Sequence, residues 1–248
     1  MADGADDILI GTAGWSIPSA VADVFPGEGA HLERYARRMP VVEINSSFHR
    51  PHRRSTYERW AAATPDHFRF AAKVPKTLTH DQRLLNPGDV FDRFAQEVAG
   101  LGDRLAVLLV QTPPSQTFDP ARVGDFLDAI AARLPVQMVW EPRHASWFTP
   151  DADQFLSERR VARVVADPAK PLGADSPGGW RGLTYVRLHG SPRMYYSAYD
   201  PAWLAGLAER LRTWSTSGPV WCVFDNTAGS AALGDALTLM PLTGDGRE

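Results

Sequence analysis

The sequence predicts an α/β protein folded as a single eight-stranded parallel (β/α)8 barrel of the TIM type. Three observations lead there. Eight short apolar runs recur along the 248 residues. Most of the intervals between them carry helical periodicity. The runs are nearly continuous in apolar residues, as strands covered on both faces require. A chain of this length suits one such barrel, so residues 1–248 read as one domain. An open doubly wound sheet is the rival. Its G-x-G-x-x-G turn is missing after the first run, where the chain reads "GTAGWS", and there is no Walker loop.

The elements follow in order. The first run is "DILIGT" (7–12), and a helix "HLERYARRM" (31–39) carries the chain to "VVEIN" (41–45). Helix "TYERWAAA" (56–63) precedes "FRFAAK" (68–73), and "DVFDRFAQEVAGL" (89–101) precedes "LAVLLVQ" (105–111). Helix "DPARVGDFLDAIAARL" (119–134) leads to "VQMVWE" (136–141), and "TPDADQFLSERR" (149–160) leads to "VARVVAD" (161–167). The next connection, "DPAKPLGADSPGGWRG", is rich in Pro and Gly. It reads as a loop without a full helix, so irregularity is expected around strands six and seven. The run "LTYVRLHG" (183–190), helix "DPAWLAGLAERLRTWST" (200–216), run "VWCVFDN" (220–226) and helix "TAGSAALGDALTLM" (227–240) complete the set. Asp119-Pro120, Thr149-Pro150 and Asp200-Pro201 each place a capping side chain just ahead of a proline, a helix-start signal.

Composition narrows the function classes. Hydrophobic residues make up 44% of the chain, enough for a sizeable core. The net charge of −3 argues against a broad nucleic-acid footprint and leaves room only for a local basic patch. The lone Cys222 has no partner for an internal disulfide, sits in no zinc-type spacing, and reads as a small buried strand residue. The start "MADGADDILI" lacks the order of a signal peptide, and no apolar run approaches the ~20 residues of a membrane span. A soluble, cytoplasmic protein is the expectation.

The chemistry is read at the strand ends. Strand two ends in Glu43 and Asn45, strand three in Lys73, and strand four in Gln111. Strand five gives Glu141, with Arg143 and His144 just beyond. Strand six gives Asp167, strand seven Arg187 and His189, and strand eight Asp225 and Asn226. In a barrel these ends converge on the C-terminal mouth, where such folds keep their sites. Residues two apart on a strand share a face. Glu43 therefore points with Asn45, and Arg187 with His189. Buried charge is costly unless paired or used. The set is therefore expected to be a site, with a bracing ring of salt bridges as the alternative.

Within that site Glu43, Glu141 and His189 are expected to move protons. Lys73, Arg143 and Arg187 would clamp a small anion. Asn45, Gln111, His144, Asp167 and Asn226 would help hold the substrate. Trp147, like Trp15, falls just after a strand and would wall the pocket. The expected ligand is a small anionic or polyhydroxylated molecule, processed by hydrolysis or lyase-type proton abstraction with no cofactor. A divalent metal on Glu141, Asp167, His189 and Asp225 is an alternative, but no HxH or HExxH pattern pins one. A non-enzymatic ligand- or nucleic-acid-binding module is the other. Tyr195, Tyr196 and Tyr199 follow strand seven as a lid, a stacking surface or loop packing.

The ordered motifs "GTAGWS", "VEINSSFHR", "FRFAAKVPKTLTH", "QTPPS", "EPRHASW", "YVRLHG" and "FDNTAGSAALGDAL" together resemble the YecE-like family, a family of domains of unknown function. The match runs from Ile10 to about Leu239. The resemblance implies a TIM-type barrel and directs attention to the same strand-end residues, His144 and Trp147 included. It supplies no reaction. The chain departs from the family pattern at Ala13, Ile17, His49, Pro142 and Asp225, and it has no tryptophan between Pro18 and Pro26. These departures fall on the aromatic wall near strand one and on the Asp225 position. The rest of the charged set matches.

Overall fold

The computed structural model describes residues 8–244. The readings that fall on residues 1–7, including Asp7 as the start of strand one, lie outside them. The strands are β1 (Ile8–Ala13), β2 (Val41–Ile44), β3 (Arg69–Lys73), β4 (Leu105–Gln111), β5 (Gln137–Glu141), β6 (Ala162–Arg163), β7 (Val165–Asp167), β8 (Gly178–Gly179), β9 (Thr184–Leu188) and β10 (Val220–Phe224). They form one nearly closed, barrel-like sheet in the order β7-β9-β10-β1-β2-β3-β4-β5-β6-β8. Every neighbouring pair is parallel except β6 with β8.

The expectation of eight parallel strands is corrected at the sixth run. "VARVVAD" is two short strands, not one. Ala162 and Arg163 pair with β5, while Val165–Asp167 pair with β9. The chain changes partner at Val164, whose N–H still donates to Trp140 O at 2.9 Å. The loop expected beyond it contributes β8, antiparallel to β6. Only glycine fits there. Gly179 has φ +60°, and a Cβ on it would lie 2.5 Å from Val161 O.

The helices are α1 (His31–Ala36), α2 (Ser46–His49), α3 (Arg54–Ala62), α4 (Gly88–Val98), α5 (Pro120–Ala131), α6 (Pro150–Glu158), α7 (Pro201–Ser215) and α8 (Ala232–Leu239). The three Pro-led starts fall as expected. Asp119, Thr149 and Asp200 accept from the N–H groups of Arg122, Ala152 and Ala202 at 3.2, 3.3 and 2.8 Å. The one-turn α2 was not anticipated, and α8 begins five residues later than expected. Among the described residues no helix is long and apolar enough to cross a membrane.

Strand alternation sorts side chains into two layers. Val42, Ile44, Phe70, Ala72, Met138, Trp140, Val186, Leu188, Val220, Cys222 and Phe224 join the outer core beneath the helices. Val41, Ala71, Val107, Leu109, Val139, Val164, Tyr185, Trp221 and Val223 form a separate inner cluster inside the barrel. One step further along those inward rows the side chains become charged.

Candidate functional site

The last inward position of five strand paths carries an ionisable group. Glu43 follows Val41, Lys73 follows Ala71, Glu141 follows Val139, Arg187 follows Tyr185, and Asp225 follows Val223. His189 continues the Arg187 row. All are buried, with Arg187, Glu43, Glu141 and His189 at 0% exposure.

Arg187 is the centre. Its Nε and Nη2 grip Glu43 through both carboxylate oxygens, at 2.9 and 2.7 Å. Nη1 donates to Glu141 Oε2 at 2.6 Å, and Nη2 also donates to Asp225 Oδ2 at 2.9 Å. The planar fork suits this multiple pairing. Tyr185, one row deeper, donates its hydroxyl to Glu43 Oε2 at 3.0 Å. Glu43 is thus the most enclosed of the three carboxylates. It is an anchor for Arg187, held from two sides.

His189 lies between the other two. Nδ1 is 3.0 Å from Asp225 Oδ2, and Nε2 is 3.0 Å from Glu141 Oε1. A neutral imidazole has one N–H, so both contacts are donated only by the doubly protonated ring. Arg143 pairs with Glu141 Oε1, and its Nη2 lies 3.0 Å from His189 Nε2. Burial works against ionised Glu141, but Arg187, Arg143 and His189 outweigh it and hold that carboxyl well below the usual carboxylate range. Burial likewise opposes ionised Asp225, and Arg187, His189 and Lys73 keep it low.

Three hydrogen-bonding groups in this mouth are left over. Arg143 Nε and Asn45 Oδ1 are buried without a partner among the described residues. The other half of Asn45 is engaged weakly, its Nδ2 donating to Asp225 Oδ1 at 3.4 Å. Lys73 Nζ sits 4.1 Å above the Phe48 ring and forms no hydrogen bond or ion pair with the described residues. Burial, with Arg187 adding to it, lowers the Lys73 ammonium to about 8, and Glu43, Glu141 and Asp225 only partly offset this. Unsatisfied buried groups cost stability, and a ligand is one way to satisfy them.

Asp167 and Asn226 belong to a neighbouring network. Tyr199 donates its hydroxyl to Asp167 Oδ1 at 2.9 Å and accepts from Gly190 N at 2.9 Å. Asn226 Nδ2 donates to Asp235 Oδ2 at 2.6 Å and to Ser197 O at 2.9 Å. Together they pin the segment after β9. In that segment Tyr195, at φ +69°, sets its ring edge-on to His189 at 5.7 Å. Its carbonyl accepts from Ala228 N at 3.0 Å, and its side chain is part-exposed. Of the lid, stacking surface or loop packing weighed for this segment, Tyr195 makes an edge-on contact with His189, and Tyr199 is packed into the Asp167 network.

Two expected substrate contacts lie elsewhere. Trp147 is fully buried in the outer core, 5.0 Å from Trp140, with Nε1 donating to Gln116 O at 3.0 Å. His144 caps the turn at 145–147, its Nδ1 accepting from Ser146 N at 3.1 Å. Trp15 packs on Trp60 at 4.9 Å. Gln111 ends β4 in register with Glu141 and is partly exposed. Of the four residues weighed as metal ligands, Asp167 has its carboxylate bonded to the Tyr199 hydroxyl. Among the described residues no group of three His, Cys, Asp or Glu side chains is placed to hold a metal ion. Tyr185 and Asp235 were not anticipated. Tyr185 sits two before Arg187, so the same two-residue rule finds it. Asp235 lies inside α8, and its sequence context carries no signal.

A barrel-like α/β fold with a buried ring of charge at its strand ends defines the class. The chain belongs to the DUF72 family: the profile described as "Protein of unknown function DUF72" matches residues 9–248. This bears out the resemblance read from the motifs. The chain is 29% identical over 178 residues to the UPF0759 protein YecE of Escherichia coli K12, across 68% of its own length and 62% of YecE. It is 27% identical over 197 residues to the UPF0759 protein YunF of Bacillus subtilis 168, across 74% of its length and 70% of YunF. A DUF72 family crystal structure from Enterococcus faecalis V583 superposes with a TM-score of 0.80 at 21% identity, covering 96% of this chain and 95% of that one. One from Thermotoga maritima MSB8 gives 0.77 at 22% identity, covering 96% and 99%. These structures support the fold alone.

Proposed function

We propose that the mouth is the acid–base site of a cytoplasmic TIM-type barrel enzyme. Its substrate is a small anionic or polyhydroxylated molecule, and its chemistry is of the hydrolase or lyase type. In this reading β6 and β7 are one interrupted sixth stave of an eight-stave barrel. The observation that carries the proposal is His189 clasped between Glu141 and Asp225 beside the unpaired Arg143 Nε. An imidazole flanked by two carboxylates is able to relay protons, and an incompletely bonded guanidinium is able to take an anion.

The roles divide by depth. Glu43, enclosed by Arg187 and Tyr185, positions Arg187. His189 and Glu141 exchange the proton with substrate, and Asp225 orients His189. Arg143, Asn45 and Lys73 hold the ligand. No metal is part of this reading, because Arg187 already satisfies the carboxylates a divalent ion would need.

The test is thermal unfolding with inorganic phosphate, sulfate and simple sugar phosphates. A ligand at a hundred times its Kd adds ~2.7 kcal/mol to stability. At least one of these anions is expected to raise the melting temperature of the wild type and not of Arg143→Ala. Prior dialysis against a chelator is expected to leave the rise intact. A rise of equal size in Arg143→Ala, or no rise with any of them, overturns the anion site.

A further inference from the structure

We infer that Lys73 is an amine nucleophile that condenses with a carbonyl ligand in the mouth to form an imine. The inference rests on the proposed site and names its substrate class, an aldehyde or ketone that also carries an anionic group.

Four observations support it. The first is the solitude of Nζ. Buried lysines are normally paired, but this one meets only the Phe48 ring, 4.1 Å away, and forms no hydrogen bond or ion pair with the described residues. The second is its anchoring. Lys73 ends β3, and its own carbonyl accepts from Ser47 Oγ at 2.7 Å, so the backbone from which the side chain springs is fixed. The third is the charge around it. Glu43 faces it from β2, Glu141 from β5, Arg187 from β9, Asp225 from beyond β10 and His80 from the turn at 77–81. Desolvation and Arg187 favour the neutral amine, the form that attacks. The fourth is chemical economy. Of 26 Lys and Arg residues only Lys73, Lys76 and Lys170 are lysines. A guanidinium is a better anion clamp, yet the amine stands at this position.

The step balances without any oxidant. The Nζ lone pair forms a C–N bond to the carbonyl carbon as the C=O π bond breaks, and one amine proton passes to the oxygen to give a carbinolamine. The hydroxyl leaves as water, with a proton from the acid groups of the mouth, His189 foremost. The product is a protonated imine and one water. Arg143 holds the anionic end of the same ligand.

The scarcity of lysine makes the experiment clean. The full chain is incubated with formaldehyde, glyoxylate, pyruvate or dihydroxyacetone phosphate and reduced with cyanoborohydride. Peptide mass mapping then locates the secondary amine. Lys73 is expected to be labelled roughly tenfold or more above Lys76 and Lys170 at pH 7. Its labelling should rise with a midpoint near pH 8. Lys73→Arg keeps the charge and should lose the adduct, while the wild type's own anion-induced melting shift reports separately on the anion site. Preferential labelling of Lys76 or Lys170 overturns the inference. So does the absence of a Lys73 adduct with every probe while an anion still raises the melting temperature, and in that case the acid–base site survives. If neither adduct nor anion shift is seen, both readings fall.

Discussion

Arg187 directs four of its five N–H bonds at three carboxylates, and His189 is fixed by two of the same three. Against that saturation, Lys73 stands out as the cation that the cluster leaves alone. Its depressed value has a signed consequence for stability. Below pH 8 the folded chain holds a buried ammonium at a cost on the order of 3 kcal/mol, which the cation–π contact with Phe48 partly offsets. Lys73→Met removes that cost, so it should raise the urea midpoint at pH 7, the reverse of most core substitutions. Between about 8 and 10.5 the unfolded chain binds a proton that the folded chain lacks. The wild type therefore gains stability across that window, and above it the two midpoints should converge. A variant weaker than wild type at pH 7 refutes this. At this scale much was legible, because period-two alternation needs only the strand direction. It placed Glu43, Lys73, Glu141, Arg187 and His189 together, and applied one step earlier it reaches Tyr185. It was blind beyond the strand ends. His144 and Trp147 have the residue types of a pocket wall, but the chain turns there, and the turn sends one to a cap and the other into the core.

Among the elements, helix starts were the most legible, because their signal is local. An acceptor side chain followed by a proline needs no knowledge of the rest of the fold. Asp200→Ala should cost ~1 kcal/mol by losing the bond from Ala202 N, and it should leave the anion-induced melting shift unchanged, since α7 starts outside the charged layer. Chemical unfolding with and without phosphate separates the two effects. The division of strand six was illegible for the opposite reason. "VARVVAD" is uniformly apolar, and whether its hydrogen bonds go to one neighbour or change over at Val164 depends on strands far away in sequence. Gly178 and Gly179 have the composition of a loop, and their pairing with β6 is likewise imposed from outside.

For the molecule as a whole, the charged layer sets the response to acid. Glu141 and Asp225 are both held below their ordinary values by their cationic neighbours. They therefore contribute stability that is complete above the unfolded carboxylate range, near 4, and is lost as pH falls through their lower folded values. The urea midpoint should fall steeply as the pH drops below about 4. It should fall less in Glu141→Gln/Asp225→Asn, which begins weaker at pH 7. Equal slopes would remove these two groups as the source. The division at Val164 gives the same layer a mechanical meaning. β5 and β9 stand on either side of it, joined by two separate half-strands in place of one continuous ladder. Arg187 and His189, arriving on the β9 side, both bond to Glu141 on the β5 side. The charges thus act as a buckle across the join between the two half-strands.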